Sequence, residues 1–117
     1  MALIDPVQFS KLRELAAGDD AFVAGVLDAF LPQLRAVPTA LRRAVTDGDA
    51  PAAAELAHSL KGSAGNVGAE DVAALCLEIE RLARGGELAV LTALVDELES
   101  SAAATGRVFE AERARLG

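Results

Sequence analysis

The chain has 117 residues, a net charge of −7, 52% hydrophobic residues and four phenylalanines as its only aromatics. That is the length of one domain, residues 1–117, large enough to bury a core without disulfides or metals. An acidic chain lacks the basic surface that releases counterions from a phosphate backbone, so no nucleic-acid partner is expected, and the isolated Arg42-Arg43 pair does not reverse this.

The opening MALIDPVQFS has neither a basic region nor a long apolar run and does not read as a signal peptide. No window approaches the roughly 20 uncharged apolar residues of a membrane span. The protein is therefore expected to be soluble, with no membrane association. The single cysteine, Cys76, excludes an internal disulfide and fits a reducing cytoplasm, and one histidine with one cysteine argues against a structural zinc site. The apolar content is mostly Ala, Leu and Val, and Ala and Leu are the strongest helix formers, so an all-α domain is the default.

Asp5-Pro6 resembles an N-cap followed by proline at the first helical position, where a missing N–H costs nothing. Phe9, Leu12 and Leu15 or Ala16 then recur at helical spacing up to Gly18, predicting a short N-terminal helix across one end of the fold. Asp19 or Asp20 caps a second helix whose apolar positions are Val23, Leu27, Phe30, Leu34, Val37, Leu41 and Ala44. Alternating steps of four and three are the seam of a helix lying nearly parallel to its neighbours. Pro32 and Pro38 each remove a backbone bond, but the register runs through both, which predicts one long kinked helix ending near Asp47-Gly48-Asp49.

Pro51, with Asp49 or Ala50 as cap, starts the third helix, whose buried stripe is Ala53, Leu56, Ala57, Leu60, Ala64 and Val67 and whose end is near Asn66 or Gly68. Glu70 and Asp71 suit the positive end of a fourth helix. Its inward face is Val72, Leu75, Cys76, Ile79, Leu82 and Ala83, and Gly85-Gly86 stops it. The last helix begins near Glu87 and carries Leu88, Leu91, Val95, Leu98, Ala102, Thr105 and Phe109; Gly106 weakens it without needing to break it, and the bland run from Ser100 to Ala104 leaves room for fraying beyond Thr105. The expected architecture is an antiparallel up-and-down four-helix bundle with a short additional N-terminal helix.

The third helix carries the only histidine, and its two faces differ. At about 100° per residue its apolar positions cluster within about 60° of Ala53, whereas Lys61, Gly65, His58 and Gly62 fall roughly 80–180° away. A solvated face gains nothing from two glycines that each cost about 1 kcal/mol in a helix interior. Their presence predicts that another body approaches the helix closely. A neutral imidazole is a competent nucleophile near pH 7, and phosphoryl transfer needs mainly in-line positioning and charge neutralisation. Lys61, one turn from His58, is placed to supply that charge, while Gly62 leaves the approach open and Gly65 extends the clearance.

Residues 57–69, AHSLKGSAGNVGA, resemble the signature of the histidine-containing phosphotransfer (HPt) family, roughly A-H-x-L-K-G-x-x-x-x-x-G-A. The similarity continues through residues 75–84, LCLEIERLAR, and at Phe30-Leu31 and Asp47-Gly48-Asp49. The resemblance implies a four-helix bundle, phosphorylation of His58, and exchange of the phosphoryl group with an aspartate on receiver domains of response regulators or hybrid histidine kinases. It makes Lys61 the charge partner and Gly62 the clearance residue. Glu80 occupies a position from which a polar side chain, often an amide, reaches toward the histidine in some relatives; a carboxylate there would repel a phosphoryl group. Ser63 reads as a helix-packing or backbone-bonding residue, Gly68 as the helix end and Cys76 as core.

The expected function is that of a phosphorelay intermediate rather than an enzyme. The chain shows no phosphate-binding loop of Walker type, carries no cofactor of its own, and leaves the aspartate and Mg2+ to the receiver. A helical adaptor that docks through the same face without phosphorylation is the alternative. A free-standing protein is expected rather than a module of a larger kinase, and a monomer is expected because one bundle's worth of apolar stripes is present in a single chain.

Overall fold

The computed structural model describes residues 19–116. The predicted N-terminal helix lies outside them. The described residues form four helices: α1 (Asp20–Thr46), α2 (Ala50–Val67), α3 (Glu70–Arg84) and α4 (Leu91–Leu116), with a single 3-10 turn (Leu88–Val90) leading into the last. There is no strand among the described residues. Connections of a few residues alternate the helix directions, and α1 packs on α2 and α4 while α3 packs on α2 and α4, giving the antiparallel four-helix bundle expected.

The boundaries follow from local chemistry. Asp19 caps α1, its carboxylate accepting from the Phe22 amide at 3.0 Å, and Asp49 caps α2 by accepting from the Ala52 amide at 3.1 Å. Gly48, Gly68 and Gly86 take positive φ of 71°, 77° and 74° at the three helix ends, where only glycine enters the left-handed region without a Cβ penalty. At the end of α2 this lets the Ala69 amide donate to the Ala64 carbonyl at 2.9 Å, so the chain turns directly into α3.

α1 is continuous through Pro32 and Pro38. An interior proline costs about 3 kcal/mol, but Val23, Leu27, Phe30, Leu34, Leu41 and Ala44 all lie buried in one core, and their burial outweighs the lost backbone bonds. By length and composition α1 is also long and apolar enough to cross a membrane; its apolar stripe instead lines the bundle interior.

Three details differ from the sequence reading. α4 does not fray after Thr105 but runs to Leu116. Phe109 is fully buried and meets Phe30 edge to face, with ring centroids 5.6 Å apart, while Arg113 donates to Asp28 at 2.8 Å. The second difference is that α4 begins at Leu91, preceded by the 3-10 turn, with Leu88 only half-buried. Finally, Leu56 and Leu75 are half-buried rather than core, and Glu80 is buried on the inward side of α3. Cys76 is core, its thiol pushed up to about 12 by desolvation.

Candidate functional site

α2 buries a stripe of small residues, Ala53, Ala54, Ala57 and Ala64, around Leu60 and Val67. Small side chains let a neighbouring backbone approach closely, and α3 packs against α2 more extensively than any other pair of helices does. That contact brings residue 58 opposite residue 80.

His58 projects from α2 with its side chain 60% exposed, and its Nδ1 lies 3.0 Å from Glu80 Oε2 on α3. Glu80 is only 9% exposed at the side chain and serves more than the histidine. Lys61 Nζ donates to Oε1 at 2.8 Å, and Arg84, one turn along α3, donates to Oε2 through Nε at 3.0 Å and Nη2 at 2.8 Å. Beyond the hub, Arg84 approaches Glu55 of α2 at 3.8 Å.

This environment holds the Glu80 carboxyl down to about 2, chiefly through the Lys61 hydrogen bond and further through Arg84, against an opposing desolvation effect. Glu80 is therefore ionised at neutral pH and is an acceptor only. The proton between the imidazole and Glu80 then sits on Nδ1 of His58, which donates. In the neutral ring the lone pair is left on Nε2, at the far edge from the anchor. A histidine held by a carboxylate in this way has a defined tautomer and orientation.

Gly62 and Gly65 are both exposed, and a Cβ built on either would meet nothing within 4 Å. The bundle itself therefore has no need of glycine at these positions. With His58 and the half-buried Lys61 they form the outward face of α2 described from the sequence. Ser63 Oγ donates to Gln33 Oε1 at 2.8 Å, tying α2 to α1 on another side of the helix, which is a packing role. Gly68 ends the helix.

Glu80 and Arg84 are the residues beside His58 that sequence reasoning undervalued. A carboxylate beside His58 reads as a repulsive element only when taken alone; here Lys61 and Arg84 both bond it and offset its charge. Two signals were present. Glu80 and Arg84 stand at the i, i+4 spacing of a helical ion pair, and Glu80 borders the apolar stripe of Cys76, Ile79 and Ala83, where an unpartnered charge would be costly.

The Hpt domain family model matches residues 25–107. Among solved structures, the histidine-containing phosphotransfer protein B (HptB) from Pseudomonas aeruginosa PAO1 is 33% identical and superposes with a TM-score of 0.88, over 97% of this chain and 96% of that one. No curated protein matches the chain. A family match over most of the sequence, and a solved relative 33% identical that shares the fold, make this chain a member of the Hpt family of phosphotransfer domains, which act in phosphorelays.

Proposed function

We propose that His58 is the phosphoacceptor of this domain and that Nε2 is the atom phosphorylated. The observation that carries the reading is the 3.0 Å contact from Nδ1 to the ionised Glu80, on a ring that is 60% exposed. The nucleophilic lone pair is thereby kept on the nitrogen a partner can reach.

In the charging step, the Nε2 lone pair attacks the phosphorus of an aspartyl phosphate on a receiver domain, an N–P bond forms, and the P–O bond to the aspartate breaks. The carboxylate leaves with its electron pair, so no proton has to move for the exchange. Lys61 Nζ, about one helical turn from His58, is a flexible point cation that can turn from Glu80 toward the equatorial phosphoryl oxygens. The receiver brings the acceptor aspartate and the Mg2+ that clamps the phosphoryl group; this chain contributes the nucleophile and the cation.

Receiver domains of response regulators or hybrid histidine kinases are the partners of this reading, and docking takes place over the outward face of α2. Gly62 and Gly65 give the receiver's loops clearance, and Leu77, 55% exposed three residues before Glu80, adds apolar contact area. The domain acts as a cytoplasmic, monomeric phosphocarrier and does not itself handle a nucleotide.

Incubation with a panel of phosphorylated receiver domains, followed by assay of acid-labile label, tests the assignment. Wild type is expected to take label from at least one receiver, and His58→Gln from none. Label retained by His58→Gln, or a wild type that stays unlabelled across a broad panel, sinks the assignment, the latter in favour of an adaptor that docks without phosphorylation.

A further inference from the structure

α3 and α4 pack together less than the other neighbouring helices of the bundle do. Between them lies an open groove of about 780 Å³, whose apolar lining is Ala74 and Leu75 of α3 with Leu94 and Ala104 of α4. Side-chain volume is scarce there, because two of those four residues are alanines and α4 adds only Ser100 and Ser101 between its leucine and its alanine. Leu75 and Leu94 are left half-buried at the margin of the core. Contiguous apolar surface of this kind gains from a further body laid over it.

The charged lining has one sign. Asp71 and Glu78 come from α3, Asp96 and Glu97 come from α4, and no cation lines the groove. Glu78 is bonded by Arg81 and Asp96 by Arg42, two arginines outside the lining, whereas Asp71 and Glu97 make no ion pair among the described residues. Two polar atoms are unmet as well. Asp71 Oδ2 and Ser101 Oγ are buried and have no hydrogen-bond partner among the described residues. An ammonium group, with three donors and no acceptor, suits both oxygens, and the alkyl stem of a lysine covers apolar surface on the way in.

We propose that the α3–α4 groove is a docking site for a cationic amphipathic helix of a partner protein. The groove spans residues 71–78 of α3 and 94–104 of α4, about 10 and 15 Å of helix axis, which accommodates roughly two to three helical turns. Over that length a helix presents apolar residues at i, i+3 or i+4 and i+7, with lysine or arginine on its flanks. An anionic amphiphile would set like charge against the lining, and so would a second copy of a chain of net charge −7. Glu78 and Glu80 are two residues apart, roughly 200° around α3, so the groove lies on a different side of that helix from His58. Docking there needs no phosphorylation of His58 and leaves the imidazole open.

The test uses the full-length protein labelled with nitrogen-15 and a synthetic peptide of about 18 residues, long enough to be helical. The peptide is built from alanine, leucine and lysine, with the leucines in one stripe and the lysines on its flanks. Amide shift changes are expected to concentrate on residues 71–78 and 94–104 and to spare residues 55–65 of α2. Ala74→Arg, at an exposed helical position, fills the groove and adds a like charge; it should keep its thermal stability and weaken binding about tenfold or more. Glu97→Lys is expected to weaken binding on the order of threefold. Glu87→Lys, which changes net charge equally at an exposed position outside the groove, should bind as wild type does.

Absence of binding overturns the proposal, as do shift changes centred on residues 55–65. Equal losses for Glu97→Lys and Glu87→Lys, or equally tight binding of a peptide of the same composition with its leucines scattered, reduce the effect to net charge and overturn it too. Sedimentation of the wild type gives the last outcome: a dimer that Ala74→Arg dissociates would assign the groove to a second copy instead of a cationic helix.

Discussion

Two seams of the bundle are joined by charge, and they differ in burial and in how the charges are shared. Along α1 and α4, Arg42 reaches Glu99 through a two-pronged contact at 2.7 and 3.1 Å and also bonds Asp96, while Arg113 meets Asp28 and Arg35 meets Glu110 at 3.2 Å. These side chains are about a third or more exposed, and each cation there meets one or more carboxylates. Along α2 and α3 the ratio is inverted: two cations and an imidazole converge on one buried carboxylate. Exposed pairs are screened by water and salt and contribute little net stability. A buried carboxylate held by two cations, on a chain of net charge −7, keeps Lys61 and Arg84 next to His58. Ion pairing joins helices in both places; the second seam also places an exposed imidazole beside it.

The contrast can be broken most sharply at Gly62. Gly62→Gln is expected to lower transfer from a phosphorylated receiver on the order of a hundredfold, equivalent to about 2.7 kcal/mol of docking energy. Thermal stability should hold or rise, because Gln is the better helix former and a Cβ there meets nothing within 4 Å. Transfer at the wild-type rate would show that the partner does not approach this face.

A smaller effect should follow from removing one cation from each seam. Lys61→Ala is expected to slow transfer on the order of tenfold, less than the loss of a rigid buried donor, with helical circular dichroism unchanged. Arg42→Ala should leave transfer untouched, and any loss of thermal stability should shrink in high salt. Equal kinetic losses for the two variants would mean that the local charge at His58 is not what matters.

The pH dependence of stability separates the seams again. Because the Glu80 carboxyl is held well below the usual carboxylate range, its contribution is fully present above that range and is lost as pH falls toward about 2. The difference in melting temperature between wild type and Glu80→Gln should therefore narrow on acidification. Glu99, also lowered by its Arg42 hydrogen bond, is common to both proteins and cancels. A gap that is constant with pH would contradict the hub.

The smallest expected effect lies on the α1–α4 side. A Cβ at Gly106 would meet Leu34 Cδ2 and Glu110 Oε1 at 3.6 Å each, which is ordinary contact. Gly106→Ala should raise stability by about 0.5–1 kcal/mol and leave transfer unchanged; destabilisation on thermal melting would show that α1 and α4 approach more closely than these distances allow.

Much of the fold was legible because its cues are local. Asp19 and Asp49 accept from amides three residues on, Gly68 and Gly86 turn at positive φ, and the four-and-three steps of α1 persist through two prolines, all within single segments of chain. The outward face of α2 was legible for the same reason, since a helix places residues 58, 61, 62 and 65 by its own period. The end of α4 was not: the bland run from Ser100 to Ala104 gives no local reason for the helix to continue, and residues 105–116 are held as helix by Phe109 against Phe30 and by Arg113 on Asp28, partners some eighty residues away.

Glu80 belongs to that second kind. The sequence by itself determined the helices, their caps, and an exposed histidine flanked by a lysine and two glycines. Only the tertiary structure decided that Glu80 lies against Nδ1 of His58 and takes Lys61 and Arg84 as well, and hence which ring nitrogen keeps its lone pair. The reason is geometric: helical periodicity sets where a side chain sits around its own axis, whereas a contact between residues 58 and 80 also needs the rotation and register of α2 against α3, which only the packing of the two helices in the common core supplies.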